Sequence, residues 1–500
     1  MVRIGRGLTV LFLVMGYTGF SQSLNPDSLR EELKIYRDIL ENDHSGLYLY
    51  TSRDVFDDLF NQAQSKVDEI NCRRDYFKLV AEIHTSINCG HSSVFYPFSE
   101  EEAEEFQNSL FPARIKFLGT KAYVAESKCD ITPGSEIISI NNHLIDDITS
   151  ESFRMISSDG YNTTFKYRQL EEEFAIYLYL LYGSTKSYEV KYRDYDSGII
   201  HTNVFDALNL KKLEQMVANG ELETPKDESF DDIYQLKHLD AHTSLLTVNS
   251  FNTETPALTR RYFKFLKKSF REVKERGVQN LIIDIRENTG GNDGNDMELA
   301  SYLIDRPFKE NKYRRMNTNE LIVYPCYLSK SMMEMIGMKE DTKGEKVALK
   351  LNKEVRKEFG DEPASDGYYY LKDKYVIHRD PQKDRFQGQV YIMISGKVFS
   401  GGGLFSALVR DKSDAVFVGE ETGGGYYRHT GSIPLCYELP YSKLEFSIFT
   451  VINEQDVEQQ LYPNGSGTRP HYSVCQTPEQ LVNGEDAVLK KCLSLIATGR

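Results

Sequence analysis

The spacing of apolar residues changes character twice along the chain. Leu29, Leu33, Tyr36 and Leu40 recur at the interval of one helical face. Ahead of them, Asn25-Pro26-Asp27-Ser28 offers a capping residue and then a proline at an early helical position, a helix start. A second helix is predicted over about 53–67, with Phe56, Leu59 and Phe60 on one face, and a third over about 75–85. Residues 22–110 therefore read as a helical unit that closes in Gly90-His91-Ser92-Ser93 and an extended Val94-Phe95-Tyr96-Pro97.

From about residue 111 short strands replace helices. Ile115-Lys116-Phe117 and Ala122-Tyr123-Val124 come first, followed by a Pro133-Gly134 turn, an alternating strand from Ile137 and an Asn141-Asn142 turn. This block resembles the core of PDZ domains, which bind C-terminal peptides by adding a strand to a sheet edge, and 111–205 is expected to be a PDZ-like β unit. Residues 206–240 are polar, acidic and weakly patterned, as a linker would be.

The rest, 241–500, alternates strand and helix. Ser244–Val248 is a strand. Thr255 caps a helix with Pro256 at its first position, an apolar stripe through Leu258, Tyr262, Phe265, Leu266, Phe270 and Val273, and a stop at Gly277. Leu281-Ile282-Ile283 has the continuous apolar character of a buried parallel strand. Strands at Val390–Ile394 and Val416–Val418, and helices over 404–409 and 487–496, continue the pattern. The charge-dense stretch of about 309–385 is expected as a surface insertion in this α/β layer.

The first residues do not belong to this plan. Arg3 and Arg6 precede an apolar run from Leu8 to Met15, with small residues at Gly19 and Ser21, the pattern of a cleavable secretory signal over 1–21. The run is too short for a bilayer span and no cysteine follows it, so a secreted or periplasmic location without a lipid anchor is expected. Sixty Lys+Arg against 75 Asp+Glu give a net charge of −15, an acidic balance that argues against nucleic acid as the partner. The seven cysteines are scattered with no C-x-x-C pair, which indicates neither a disulfide framework nor a zinc site. His238 and His242 are spaced as on a zinc helix, but the glutamate of H-E-x-x-H is missing and the segment leads into a strand. No metal or cofactor is called for.

Two turns at strand ends carry the candidate chemistry. Asp284–Asn292, after Leu281-Ile282-Ile283, contains paired glycines that allow backbone N–H groups to approach a ligand, as an oxyanion hole requires. Ser395–Gly403, after Val390–Ile394, places Ser400 among glycines at the start of a helix, the mechanical arrangement of a nucleophile elbow without its G-x-S-x-G pattern.

At this point a family resemblance emerges. Leu281–Gly291 is similar to the "hydrophobic-Asp-hydrophobic-Arg-x-N-x-G-G" signature of the S41 serine peptidases, the C-terminal-processing-protease and tricorn-core clan. Val390–Phe405 resembles that family's strand, turn, nucleophilic serine and helix; Val416–Gly425 resembles the segment that follows, and Gly465–Val474 its closing block. His44–Tyr48 and Cys89–Ser92 resemble the "H-P-x-L-Y" and "G-H-T" blocks of the secreted multidomain branch. The resemblance implies a multidomain α/β protein: an N-terminal helical unit, a PDZ-like unit and a catalytic domain of the S41 (ClpP/crotonase-like) type. It implies a peptidase acting on peptide or unfolded protein, with Ser400 as nucleophile, His91 as base, and the Gly291 and Gly401 N–H groups as oxyanion donors. The alternative is a weakly active or inactive peptide- or glycan-binding protein on the same fold.

The family divides by its base. Where the processing branch has a lysine after the nucleophile, this chain has Gly425, and Lys397 reads as a surface residue. The tricorn branch places a serine beside its histidine, here Gly90, and a glutamate before its closing block, for which Glu454, Glu458 and Asn464 are all candidates.

Overall fold

The computed structural model describes residues 25–218, 229–339 and 342–499, with the backbone of residues 2–3 and 9–10. The expected secretory signal lies outside the described side chains. Among the described residues no helix is long and apolar enough to cross a membrane.

The central feature is a six-stranded sheet. Thr243–Val248, Asn280–Asp284, Gln389–Ile394, Val416–Gly419 and Tyr472–Ser473 run parallel in that order, and Tyr234–His238 adds an antiparallel edge. Successive side chains of a strand point to opposite faces, and both faces are covered. Leu281, Ile283, Ile392 and Phe417 pack beneath Pro256–Glu275 and Gly401–Lys412, while Ile282, Tyr391 and Val418 meet Cys492 and Leu495 of the last helix, Ala487–Thr498. Hence Leu281-Ile282-Ile283 is apolar without alternation. A parallel sheet needs crossovers, and these deliver all the strand C-termini, with their turns, to one edge.

The predicted linker contains structure. Tyr234–His238 is the edge strand, with Tyr234 buried, Lys237 exposed and the rest half-buried, which is why its composition reads as polar. Residues 309–385 also depart from a surface insertion. Asn311–Met316 is an internal strand between Tyr369–Tyr370 and Glu445–Gln455, in a sheet continued by Arg428–Glu438. Met316, Leu321, Val347 and Val355 from this region are fully buried. The strand is hidden in the sequence because Lys312, Arg314 and Arg315 give it the look of a solvated segment, although Arg315 sets its guanidinium over the Tyr368 ring at 4.1 Å.

The three N-terminal helices form at Pro26–Asp43, Arg53–Lys66 and Arg73–Thr85, the first capped by Asn25 accepting from Asp27 N–H. They share a core with the second sheet, where Tyr36 meets Phe446 edge-on at 4.9 Å. Glu32 accepts the N–H groups of Tyr441 and Ser442, and Ser93–Phe95 pairs with Glu445–Ser447. Residues 113–206 form an antiparallel sheet in the order 113–118, 121–127, 136–140, 187–193, 200–206. Gly134 stands at φ +89 in a turn closed by Ser135 N–H to Thr132 O, a conformation that favours glycine. Helices Ile145–Phe153, Thr164–Glu172 and Phe174–Tyr182 intervene where only strands were expected.

Candidate active site

Ser400 occupies the junction between strand Gln389–Ile394 and helix Gly401–Lys412, at φ +50, ψ −124. A non-glycine residue held there is strained, and such strain persists only where the surroundings enforce it. Asn288 is one enforcer. Its carbonyl accepts Phe399 N–H at 3.2 Å, its side-chain oxygen accepts Gly290 N–H at 2.9 Å, and its amide donates to Val248 O at 3.0 Å. The two glycine turns are thereby stapled together. A Cβ on Gly290 would fall 2.7 Å from Ser400 Cβ, so the approach requires glycine. The Ser400 side chain makes no capping bond to its helix.

Gly291 passes still closer to its neighbour. Its φ is +151, and a Cβ there would lie 2.0 Å from Asn252 N. Among the described residues neither Gly291 N–H nor Gly401 N–H has an acceptor. A Cβ built on Gly401 would be 3.6 Å from Gly291 N, which places the two donors side by side. Gly401 also opens a helix of 12 residues, whose N-terminal partial charge favours an anion.

His91 reaches the same place from the N-terminal part of the chain. Gly90 N–H donates to Asp159 Oδ1 at 2.8 Å, and Gly425 N–H donates to Asp159 Oδ2 at 3.4 Å. One buried carboxyl thus ties the loop before His91 to the loop after the serine helix. Burial pushes that carboxyl up to about 7, against the lowering effect of its two N–H donors. The His91 ring lies 4.6 Å from Phe399, 5.2 Å from Phe449 and 5.2 Å from His429, nearly parallel to the last. Its Nδ1 is buried with no hydrogen-bond partner. Burial first, and the neighbouring His429 second, hold its pKa well below the ordinary imidazole value.

A cavity of about 220 Å³ brings Ser400, His91, Gly291 and Gly401 together. The residues that set this chain apart from the family pattern have steric reasons. A side chain at Gly90 would strike the Phe399 ring at 2.7 Å, and one at Gly425 would strike Arg428 O at 2.3 Å, so position 425 has no room for a lysine. Lys397 is held by Glu172 and by Glu287 at 2.9 Å and does not line the cavity. Neither do the three candidates for orienting His91. Glu454 pairs with Arg428 at 3.1 Å, Glu458 receives support from Asp411 through its backbone, and Asn464 is exposed.

Sequence reasoning missed part of the wall. His429 and Asn453 stand on neighbouring strands as a register pair, joined at 3.3 Å between Nε2 and Nδ2. Asp296, Glu310, Asn311 and Arg314 line the same cavity. Of these, only Asp296 follows closely on a recognised turn. Glu310, Asn311 and Arg314 come from the charged stretch, and a lone histidine on a strand carries no motif.

Residues 242–474 match the family model described as Peptidase family S41. No curated protein matches the sequence. Among solved structures, a mutant of CPAF aligns at 15% identity over 94% of this chain and 98% of its own, with a TM-score of 0.62. Mature CPAF complexed with lactacystin aligns at 13% identity over 94% and 97% of the two chains, with a TM-score of 0.59. At such identities the likeness is one of fold, and it extends over nearly the whole chain.

Proposed function

Residues 242–474 match the model of peptidase family S41, and from that premise we propose that the protein is a serine peptidase of this family in which Ser400 is the nucleophile and His91 its base. Ser400 Oγ attacks the scissile carbonyl as His91 takes its proton. The oxygen, now negative, accepts from Gly291 and Gly401 N–H. The tetrahedral species collapses as His91 returns the proton to the departing amine, and water, activated by the same imidazole, releases the acyl group from Ser400. The observation that carries this reading is the single cavity shared by a strained serine, an imidazole and two unpartnered N–H groups.

Around this centre we read residues 22–110 as a helical unit, 111–205 as a PDZ-like unit that presents substrate, and 241–500 as the catalytic domain, in a chain exported by its first 21 residues. The turn at Thr132–Ser135 and strand Glu136–Ile140 support the PDZ-like assignment. One observation favours a binding module instead. His91 Nδ1 lacks the partner that orients the base in a Ser-His-Asp site, and its ring is held by stacking alone.

A fluorophosphonate separates the two, because it modifies only an activated hydroxyl. It is expected to label Ser400 in the wild type and not in His91→Ala. A folded wild type that resists labelling at every pH would sink the peptidase.

The depressed His91 pKa has its own consequence. The base is competent when neutral, and a lowered pKa keeps it neutral as the pH falls. Between pH 7.5 and 5.5, kcat/KM should change by about twofold or less, whereas an imidazole near its usual ~6.5 would lose about tenfold. Rates measured alongside circular dichroism, to show that the fold survives at pH 5.5, check this.

A further inference from the structure

Part of the cavity wall is short of hydrogen-bond donors. Asp296 is 2% exposed, and both of its carboxylate oxygens are buried without a partner. Asn311 and Asn453, 5% and 2% exposed, each leave an amide oxygen in the same condition. Their amide nitrogens are already placed, on Glu310 Oε2 at 3.2 Å and near His429 Nε2 at 3.3 Å, so the oxygens are what remain. Glu310 adds a second buried carboxyl that accepts Gly294 N–H at 3.3 Å. Arg314, the only lysine or arginine lining the cavity, is engaged by Asp293 at 3.2 Å and by Ser432, although its Nε is unpartnered.

An ionised carboxylate offers about four acceptor positions and no donor. Buried without donors, it is costly in a folded protein unless a cation or a proton joins it. Burial, and then the neighbouring acid, push both carboxyls up, Glu310 to about 7. What the Asp296 carboxylate lacks is a partner with positive charge and several N–H groups. A divalent metal would supply the charge, but the described residues hold no group of three or more side chains arranged to ligate one. An ammonium or a guanidinium supplies both.

We propose that Asp296, with Glu310, Asn311 and Asn453, forms a specificity subsite for a cationic side chain, lysine or arginine, of the peptide whose scissile carbonyl lies on Ser400. The inference rests on the peptidase reading for its substrate and on the cavity alone for its cation. Asp296 and Ser400 line one cavity, and helix Asn295–Ala300 packs on helix Gly401–Lys412, so a residue close to the cleaved bond is the one selected.

The test compares peptides that differ only by lysine against norleucine, which keeps the stem and removes the charge. In the wild type, kcat/KM should favour lysine by about tenfold or more, a ratio that collapses in Asp296→Asn and shrinks in Glu310→Gln. Calorimetry with agmatine, a small guanidinium, reads the subsite without any chemistry, and its binding should be lost in Asp296→Asn. If Ser400 is labelled and lysine is not preferred, the subsite is overturned while the peptidase stands. If Ser400 is never labelled, the peptidase falls, and agmatine binding that depends on Asp296 still upholds the subsite. Should Asp296→Asn fail to fold, Glu310→Gln and the wild-type titration decide. Absence of agmatine binding to folded wild type, or its displacement by calcium, overturns the proposal.

Discussion

Ser400→Ala is expected to lower turnover of an unfolded protein substrate by about 10⁴-fold or more, and His91→Ala by a comparable factor, because in the proposed mechanism nucleophile and base act as one unit. The double variant should then be little worse than either single one. Non-additivity of this kind distinguishes a joint role from two separate contributions to binding. The cavity holds a second imidazole, which makes the comparison with His429→Ala informative. His429 is buried, its pKa is pushed down to about 4, and it stacks on His91 at 5.2 Å while engaging Asn453. Its loss should loosen the His91 ring and lower the rate by roughly tenfold, an effect of positioning. If His429→Ala abolished turnover and His91→Ala retained it, the base would be assigned to His429.

The second large effect concerns the proposed oxyanion donors, and Gly401 is where it can be read. Gly291 is unsuitable. A Cβ there meets backbone at 2.0 Å, so even alanine displaces Phe251–Asn252, and lost activity would report damage to the turn. Gly401 begins a helix, where proline is accepted, but Ser400 at φ +50, ψ −124 lies away from the extended conformation that a following proline favours, so Gly401→Pro is expected to lower the melting temperature. It deletes one N–H donor. In the folded variant turnover should fall at least about 10²–10³-fold, the usual loss for one oxyanion donor. Gly401→Ala keeps the N–H, and its Cβ makes only ordinary contact, 3.6 Å from Gly291 N. It should stay within about tenfold of wild type. Equal rates for the proline and alanine variants would remove Gly401 N–H from the mechanism.

These expectations join residues that were legible in the sequence to others that were not. The helix starts at Asn25 and Thr255 were readable because a cap and a following proline act within one turn of backbone. Leu281-Ile282-Ile283 was readable because covering both faces of a sheet leaves no polar position in the strand. Ser400 and the Gly290-Gly291 pair stood out for a similar reason, since a serine flanked by glycines at a strand end and a close backbone approach both place local demands on residue type. The helices over 145–182 were missed within a stretch whose turns and strands dominate the pattern. Asn311–Met316 was missed because its buried positions include an asparagine and its arginines hide apolar contact behind charge.

What the chain determined by itself was thus each element whose stabilising contacts lie within a few residues, together with the chemical character of two turns. That His91 and Ser400 line one cavity was decided only in three dimensions. It depends on Asp159 bridging Gly90 and Gly425, on Ser93–Phe95 pairing with Glu445–Ser447, and on the N-terminal helices sharing a core with the second sheet. The acidic part of the cavity was likewise decided there, by Glu310, Asn311 and Arg314 of the charged stretch reaching it beside strand Glu445–Gln455. Such contacts join segments remote in the chain, and their free energy comes from burying complementary surfaces that no local pattern of residues can specify.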